Sequence, residues 1–250
     1  MKTIILAAGY ATRLYPLTKN QPKPLLPIAN KPIIEYILDE INTVEQIDII
    51  YVITNDKFHT HFLTWVDNYQ QRHSCNKKIE IINDGTRSNE SRLGSIGDIN
   101  FVISEKSVDD DLFIVAGDNL LDFKLKKFIT YFTEINSDAV CAYRMDSIAA
   151  LRRTGVIQID ENNRIINFEE KPQQPASNIA VPAIYAFKRD TVKLFHQYLT
   201  EGNNPDAPGY FNNWLYKKKP LFAYFFEGKR YDIGDMESYQ KADQLYRARL

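Results

Sequence analysis

The sequence predicts an α/β fold, a parallel sheet with helices on both faces. Three observations predict it. Short apolar runs alternate with segments of helical periodicity. Several of those runs are apolar throughout, as strands buried on both faces are. Small or turn-forming residues follow the runs where strands end. Open sheets of this kind bind ligands beyond the carboxyl ends of their strands.

The elements follow in order. Ile4, Ile5 and Leu6 form a buried strand that runs into Ala7, Ala8, Gly9 and Ala11, with Arg13 and then Lys23 behind them. Small residues let backbone N–H groups approach a ligand, and two fixed cations suit a triphosphate. Lys23 stands between Pro22 and Pro24, a stiff mount for a positioned charge. Neither G-x-x-x-x-G-K-[ST] nor G-x-G-x-x-G is present. Pro32 opens a helix whose apolar residues are Ile33, Ile34, Ile37, Leu38 and Ile41. Ile47 to Thr54 is a strand, and Phe58, Phe62, Trp65, Val66 and Tyr69 mark an amphipathic helix. Lys78 to Ile82 is a short strand, and Leu112 to Ala116 is a strand buried on both faces that ends on Gly117-Asp118-Asn119. The loop after Leu6 and this turn therefore both occupy the ligand-binding edge.

Beyond about residue 137 the pattern changes. Ala139 to Tyr143, Gly155 to Ile159, Ile165 to Phe168 and Ile179 to Phe187 read as strands, with a turn at Asp160-Glu-Asn-Asn163. Helices follow near Thr191 to Leu199 and Phe211 to Lys217, then a strand over Leu221 to Phe226 and a last helix from about Met236. With no linker or repeat, the chain reads as one domain, its second half an extension of the first sheet.

Composition excludes several classes. A chain of 250 residues that is 44% hydrophobic can bury a large core. A net charge of −1 provides no field for nucleic acid or an anionic membrane. No run approaches the roughly 20 apolar residues of a membrane helix, and no secretory leader opens the chain. Cys75 and Cys141 form no metal or redox spacing, so a reduced, cytoplasmic protein is expected. His59, His61, His73 and His196 are scattered without acid partners and read as surface or packing residues.

The charged residues divide by position. Asp118, at a strand end, is either a turn residue or an oxygen ligand for Mg²⁺. Asp109-Asp110-Asp111 lies at the amino end of that strand, away from the expected site, and reads as a solvated turn. Glu169-Glu170-Lys171-Pro172 closes a strand, as a charged turn or as a lysine for a phosphate beside a glutamate for hydroxyls. Tyr231-Asp232-Ile233-Gly234 supplies another aspartate in apolar surroundings. Together these are the parts of a phosphoryl-type transfer site, where a protein mostly positions reactants and offsets charge.

The run LAAGYATRLYPLT–PKPLLPIANKPII resembles the opening signature of the sugar-phosphate nucleotidyltransferases. Gly117-Asp118-Asn119, Glu169 to Pro172 and Tyr231 to Gly234 are similar to that family's later motifs, in order, over residues 1 to about 245. The resemblance implies a nucleotide-diphospho-sugar transferase (Rossmann-like) fold with a mixed, mainly parallel central sheet and helices on both faces. It implies a nucleotide-binding part over about 1–136, then a sugar-phosphate-binding part and C-terminal helices over about 137–250. The implied reaction joins an NTP, dTTP or UTP first, to a sugar 1-phosphate, glucose 1-phosphate first. The sugar phosphate attacks the α-phosphorus in line and pyrophosphate leaves.

By the same resemblance, Leu6, Ala7, Ala8 and Gly9 lie near the nucleotide, and Arg13 and Lys23 hold the triphosphate. Arg13, Lys23 and Asp118 are catalytic, and Asp118 and Asp232 hold Mg²⁺. Asn83, Asp84 and Gly94 contact the base. Asn119, Gly155, Glu170 and Lys171 bind the sugar phosphate. No covalent intermediate is implied. The expected partners are the two small-molecule substrates, without nucleic acid or membrane; a homo-oligomer is compatible with this reading.

Two departures from the family pattern stand out. Ala11 replaces a glycine of the opening motif, which predicts an altered loop. Thr86 to Arg92 lengthens the base-side segment and reads as a lid, with plain surface as the alternative. The rival readings are a cytidylyltransferase acting on phosphocholine, a non-catalytic regulatory domain of the same fold, and a glycosyltransferase, which would need Asp-x-Asp where this chain has Gly117-Asp118-Asn119.

Overall fold

A computed structural model describes residues 1–73 and 77–249, and for Lys229 and Asp232 the backbone alone. Cys75 lies outside the described residues. The strands are β1 (Lys2–Leu6), β2 (Pro27–Ile28), β3 (Lys31–Pro32), β4 (Ile49–Thr54), β5 (Lys78–Asn83), β6 (Leu112–Ala116), β7 (Asn119–Asp122), β8 (Asp138–Arg144), β9 (Gly155–Ile159), β10 (Ile165–Glu170), β11 (Ile179–Val181), β12 (Ile184–Phe187), β13 (Leu221–Phe225) and β14 (Lys229–Asp232). The helices are α1 (Ile33–Asn42), α2 (His59–Arg72), α3 (Ser95–Glu105), α4 (Leu125–Ile135), α5 (Ile148–Leu151), α6 (Arg189–Val192), α7 (Leu194–Thr200), α8 (Pro208–Leu215) and α9 (Met236–Arg247). Two 3₁₀ turns, Thr12–Leu14 and Lys23–Leu25, carry Arg13 and Lys23.

The chain forms two compact units. The first comprises Lys2–Arg92, Val115–Lys126 and Gly228–Leu250; the second comprises Met1, Leu93–Ile114 and Lys127–Glu227. The parts expected from the sequence, about 1–136 and 137–250, follow the order of the chain, whereas these units do not. Each unit takes strands and helices from distant stretches of chain, which apolar patterning cannot assign to one unit or the other.

In the first unit β1, β4 and β5 form the expected parallel ladder, with Ile4 opposite Tyr51 and Val52 opposite Ile81. The centre of β1 is fully buried at Ile4 and Ile5, which is why that run carries no polar alternation. β14 pairs antiparallel with β7, setting Asp232 opposite Asn119. Leu14, Leu26, Ile28, Ile33, Leu120, Ile233, Ala242 and Tyr246 share one core cluster, so α9 closes over the opening loop.

The second unit supplies the mixed character. β8 pairs antiparallel with β11 and β12, β9 with β10 and β11, and β13 joins β8 in parallel. The β9–β10 turn is built as its residues predict: Asp160 Oδ1 accepts from the N–H groups of Asn162 and Arg164 at 2.9 Å, and Asn163 takes φ 61°. Phe187, Phe195, Tyr198, Phe211 and Trp214 form an aromatic cluster, with Phe195 and Phe211 stacked at 3.9 Å.

Three expectations change. Ile179 to Phe187 is two strands, because Pro182 has no N–H for a ladder and its carbonyl accepts from Ile184 N–H at 2.7 Å. Helices α3 and α4, unread in the sequence, fill 95–105 and 125–135. Asp109, Asp110 and Asp111 stay partly exposed, as a solvated turn would, but also pair with Arg189, the Met1 ammonium and Lys188. Among the described residues no helix is long and apolar enough to cross a membrane.

Candidate active site

The first unit gathers the phosphate-type residues. Leu6 ends β1, Ala7 and Ala8 are buried, and Gly9 is exposed with open space where a side chain would stand. The loop is fixed from behind. Ala7 N–H donates to Ile53 O at 2.9 Å, and the buried Asn55 donates from Nδ2 to Ala8 O at 2.8 Å while its Oδ1 accepts from Phe58 N–H at the start of α2. Asn55 was not singled out in the sequence, since a lone asparagine after a strand carries no distinguishing signal.

Ala11 sits at φ 47°, ψ 43°, so alanine here adopts the left-handed conformation that the family's glycine would take without strain. Its carbonyl accepts from Thr18 Oγ1 at 2.8 Å and from Leu14 N–H at 3.0 Å. Arg13 follows, exposed, with no hydrogen bond or ion pair to the described residues.

Lys23 is 8% exposed, and its Nζ donates to Asp118 Oδ2 at 2.6 Å. Gly117 makes this meeting geometrically possible. Its N–H donates to Leu6 O at 2.8 Å, and a methyl there would press on Ile5, Leu6 O and Pro24 at 3.1–3.3 Å. Burial works against the Asp118 charge, but the Lys23 ammonium, by attraction and by hydrogen bond, and the nearby Arg230 outweigh it, so the carboxyl titrates below its ordinary range. Arg230 also donates from Nε to Asn119 Oδ1 at 2.5 Å, and Asn119 Nδ2 donates to Ala116 O at 3.0 Å. Asn119, expected on the substrate, thus has both ends of its amide engaged by protein. Arg230 was missed because only the register of β14 on β7 brings it here.

Asp232 lies in β14 opposite Asn119, next in sequence to Asp118; its side chain lies outside the described residues. Among the described residues no three His, Cys, Asp or Glu side chains form a metal cluster. An ionised carboxylate at Asp118 nevertheless suits Mg²⁺, which is held through one or two carboxylates together with substrate phosphates and not in an all-protein cage.

On the base side, Asn83 Nδ2 donates to Asp56 Oδ1 at 2.8 Å and its Oδ1 accepts from Gly85 N–H at 2.9 Å. Asp84 is buried and accepts from Thr86 N–H and Oγ1. Both residues build the loop. Within 86–92, Ser88 to Ser91 closes a turn and Arg87 pairs with Asp56 at 3.0 Å.

The second unit holds the other predicted residues. Gly94 takes φ 79° and abuts Pro205, where a methyl would lie 2.5 Å from the carbonyl oxygen. The N–H groups of Ser95 and Ile96 at the start of α3 donate to Asp206 O and Pro205 O at 2.9 Å, so they are already satisfied. Gly155 opens β9 opposite Glu170 on β10. The Glu170 side chain is 8% exposed and lies against two glycines: a methyl at Gly155 would stand 3.2 Å from Oε2, and one at Gly209 would overlap it. Glu170 makes no hydrogen bond to the described residues; Lys171 Nζ stands 4.0 Å away. Burial raises the Glu170 carboxyl to about 7, with Lys171 lowering it and Asp206 raising it. Lys171 holds φ 51°, backbone strain of the kind found at ligand sites. Gly209 and Asp206 were not singled out in the sequence as site residues.

The sequence profile of the Nucleotidyl transferase family matches residues 2–249, and the chain belongs to that family. A protein of Sulfolobus acidocaldarius, designated provisionally a mannose-1-phosphate guanyltransferase, is 31% identical over 193 residues, 76% of this chain and 49% of that protein. The chain spans about half the length of the curated relatives it matches. Among solved structures, a glucose-1-phosphate thymidylyltransferase of Bacillus anthracis, also provisionally designated and in complex with a sucrose, superposes with a TM-score of 0.83 at 26% identity, over 99% of this chain and 95% of that one. A UDP-glucose pyrophosphorylase complexed with UDP-glucose shares the fold, with a TM-score of 0.82 at 22% identity over 100% of this chain and 99% of that one.

Proposed function

We propose that the chain is a nucleotidyltransferase that makes a nucleotide-sugar from an NTP and a sugar 1-phosphate and releases pyrophosphate. The observation that carries this is the pair of the buried Lys23 with the half-buried Asp118 beside the open Gly9 loop. It places a fixed cation and an ionised carboxylate at strand ends, where a triphosphate with a hard cation is received. dTTP or UTP with glucose 1-phosphate is the first choice of substrates; the glucose-1-phosphate thymidylyltransferase among the structural neighbours supports dTTP with glucose 1-phosphate.

In this reading Gly9 admits the phosphates to the backbone, and the unpaired Arg13 closes on them from the exposed side. Lys23 keeps one N–H on Asp118 and has two further donors for the α-phosphate and the departing pyrophosphate. Asp118 and Asp232 would hold Mg²⁺, which would supply charge neutralisation on the triphosphate. On the acceptor side, Lys171 offers its ammonium to the 1-phosphate. Glu170, a buried carboxyl with no hydrogen bond to the described residues, takes sugar hydroxyl donors, for which Gly155 and Gly209 leave space. The acceptor phosphate oxygen attacks the α-phosphorus in line, the bond to the β-phosphate oxygen breaks, and pyrophosphate leaves. The protein is read as cytoplasmic.

The test is pyrophosphate release from each common NTP, with Mg²⁺, against a panel of sugar 1-phosphates and phosphocholine. Lys23→Met should lower kcat by roughly 10² to 10³. Unchanged turnover in that variant would remove the catalytic assignment. Release of a nucleoside diphosphate from a nucleotide-sugar would establish a glycosyltransferase instead.

A further inference from the structure

Two polar side chains on facing elements of the second unit are buried and make no hydrogen bond to the described residues. One is Glu170 on β10. The other is Asn212 on α8, which is 0% exposed and has no hydrogen bond at either Nδ2 or Oδ1. A buried amide with both ends unmade is costly, so a native protein answers it with a partner or an ordered water.

The helix geometry says where that amide lies. Residues three apart on an α-helix are about 60° apart around the axis, with Cβ atoms about 5–6 Å from each other. Gly209 faces Glu170, where a methyl would overlap Oε2, and Tyr216, seven residues on, donates from its hydroxyl to Asn167 Oδ1 at 3.4 Å. Asn212 lies about 60° from Gly209 and about 40° from Tyr216 around the axis, outside the arc between them but on the same side of the helix, the side that faces β10. The opposite arc, with Phe211 and Trp214, faces the aromatic cluster. Asn212 therefore stands about one helical turn from the Glu170 carboxyl. It is too far for the direct bond, which is absent, and near enough for one water, which spans about 5.6 Å between its two partners.

We propose that Asn212 is a positioning residue for Glu170, holding the carboxyl through one buried water that both side chains bind. The role rests on the reading of Glu170 as acceptor-binding only for its effect on turnover; the shared water stands independently. Asn212 orders the water, the water hydrogen-bonds one Glu170 oxygen, and the other oxygen is left aimed at the acceptor. Lys171 and Asp206 are the charged groups that act on Glu170 from the adjacent segments. Asn100 on α3, which packs on α8, has a buried Oδ1 without a partner and is the competing site for such a water.

The test uses the full chain in three arms. A high-resolution crystal structure should show a water within hydrogen-bond distance of both the Asn212 amide and the Glu170 carboxyl; a water shared by Asn212 and Asn100 alone overturns the proposal. Titration of the Glu170 carboxyl carbon by NMR should move upward by about one pH unit in Asn212→Leu and return partway in Asn212→Ser, since a donor to the charged form has been lost and then partly restored. An unchanged titration in Asn212→Leu overturns it. The same Leu variant should raise the sugar 1-phosphate KM roughly tenfold with the NTP KM unchanged. If Asn212→Leu instead raises Tm and leaves both KM values alone, Asn212 is an orphan amide and the proposal fails. If Glu170→Gln leaves the acceptor KM unchanged while the NMR coupling persists, the acceptor reading fails and the water link stands.

Discussion

Ala11 illustrates how one side chain tunes a ligand loop. Its φ of 47° costs an L-residue about 1–2 kcal/mol, and the bonds that its carbonyl accepts from Leu14 and Thr18 hold it there. Ala11→Gly should therefore stabilise the protein by about 1 kcal/mol, read as a rise in the denaturant midpoint; a fall would mean that the loop is not strained at this position. Glu170 makes the complementary case, with strain of a titratable kind. Burial raises its carboxyl from 4.5 to about 7, so the folded state binds this proton more tightly than the unfolded chain does. The associated stability is fully present below about pH 4.5 and is lost as pH rises to about 7, by roughly 3 kcal/mol. Hydroxyl donors require the ionised form, so the acceptor KM should rise as pH falls below 7 while the NTP KM does not follow. A flat acceptor KM from pH 6 to 8 would contradict this. Arg13, Lys23, Asp118, Glu170 and Lys171 stood out in the sequence because each sits at a strand end or a stiff turn that marks it locally. Arg230, Asn55 and Asn212 were not, because each acquires its meaning from an element far away in sequence.

At the scale of elements, glycines and carbonyls decide what a loop may touch. Gly94 is the clearest example. Its φ of 79° with ψ of 159° is a region essentially restricted to glycine, and the Pro205 carbonyl lies where a side chain would go. The same contact passes the carbonyls of Pro205 and Asp206 to the first N–H groups of α3, which would otherwise lack partners. Gly94 thus ties the start of α3 to the loop that leads into α8, whatever it also does for a nucleotide base. Gly94→Ala should destabilise by about 3 kcal/mol in equilibrium unfolding. A change within 0.5 kcal/mol would show that the 204–206 loop yields freely. The sequence marked Gly94 only through the family resemblance, since the approach of residue 205 to residue 94 is invisible in a linear pattern. The strands were more legible. β1, β4 and β6 are buried on both faces and read as continuous apolar runs, whereas α3 mixes Asp98 and Asn100 among its apolar residues and gave no clean periodicity.

At the scale of the molecule, the order of the chain and the order of the structure diverge. The first unit is completed by its last segment. β14 supplies the antiparallel partner of β7, and α9 covers Leu14, Leu26 and Ile28 with Ala242 and Tyr246. That closure is further pinned by Ala29 N–H donating to Asp243 Oδ1 at 2.7 Å and by the Tyr239 hydroxyl donating to Pro27 O at 2.7 Å. A fragment of residues 1–136 would carry the whole opening motif and Asp118 yet lack those partners. Its apolar residues beneath α9 would be exposed, and β7 would present an unpaired edge. Such a fragment should aggregate or give a collapsed, poorly dispersed amide NMR spectrum, and it should bind no NTP. Supplying 228–250 as a separate peptide should recover little, because reuniting two chains adds an association cost of at least several kcal/mol that the intact chain does not face. A circular permutant that joins residue 250 to residue 2 through a flexible linker and opens the chain at Gly202 keeps every contact of the first unit and should retain NTP binding. If the 1–136 fragment folded and bound NTP alone, the interleaved units would not be the folding units of this protein, and the boundary read from the sequence would be the physical one after all.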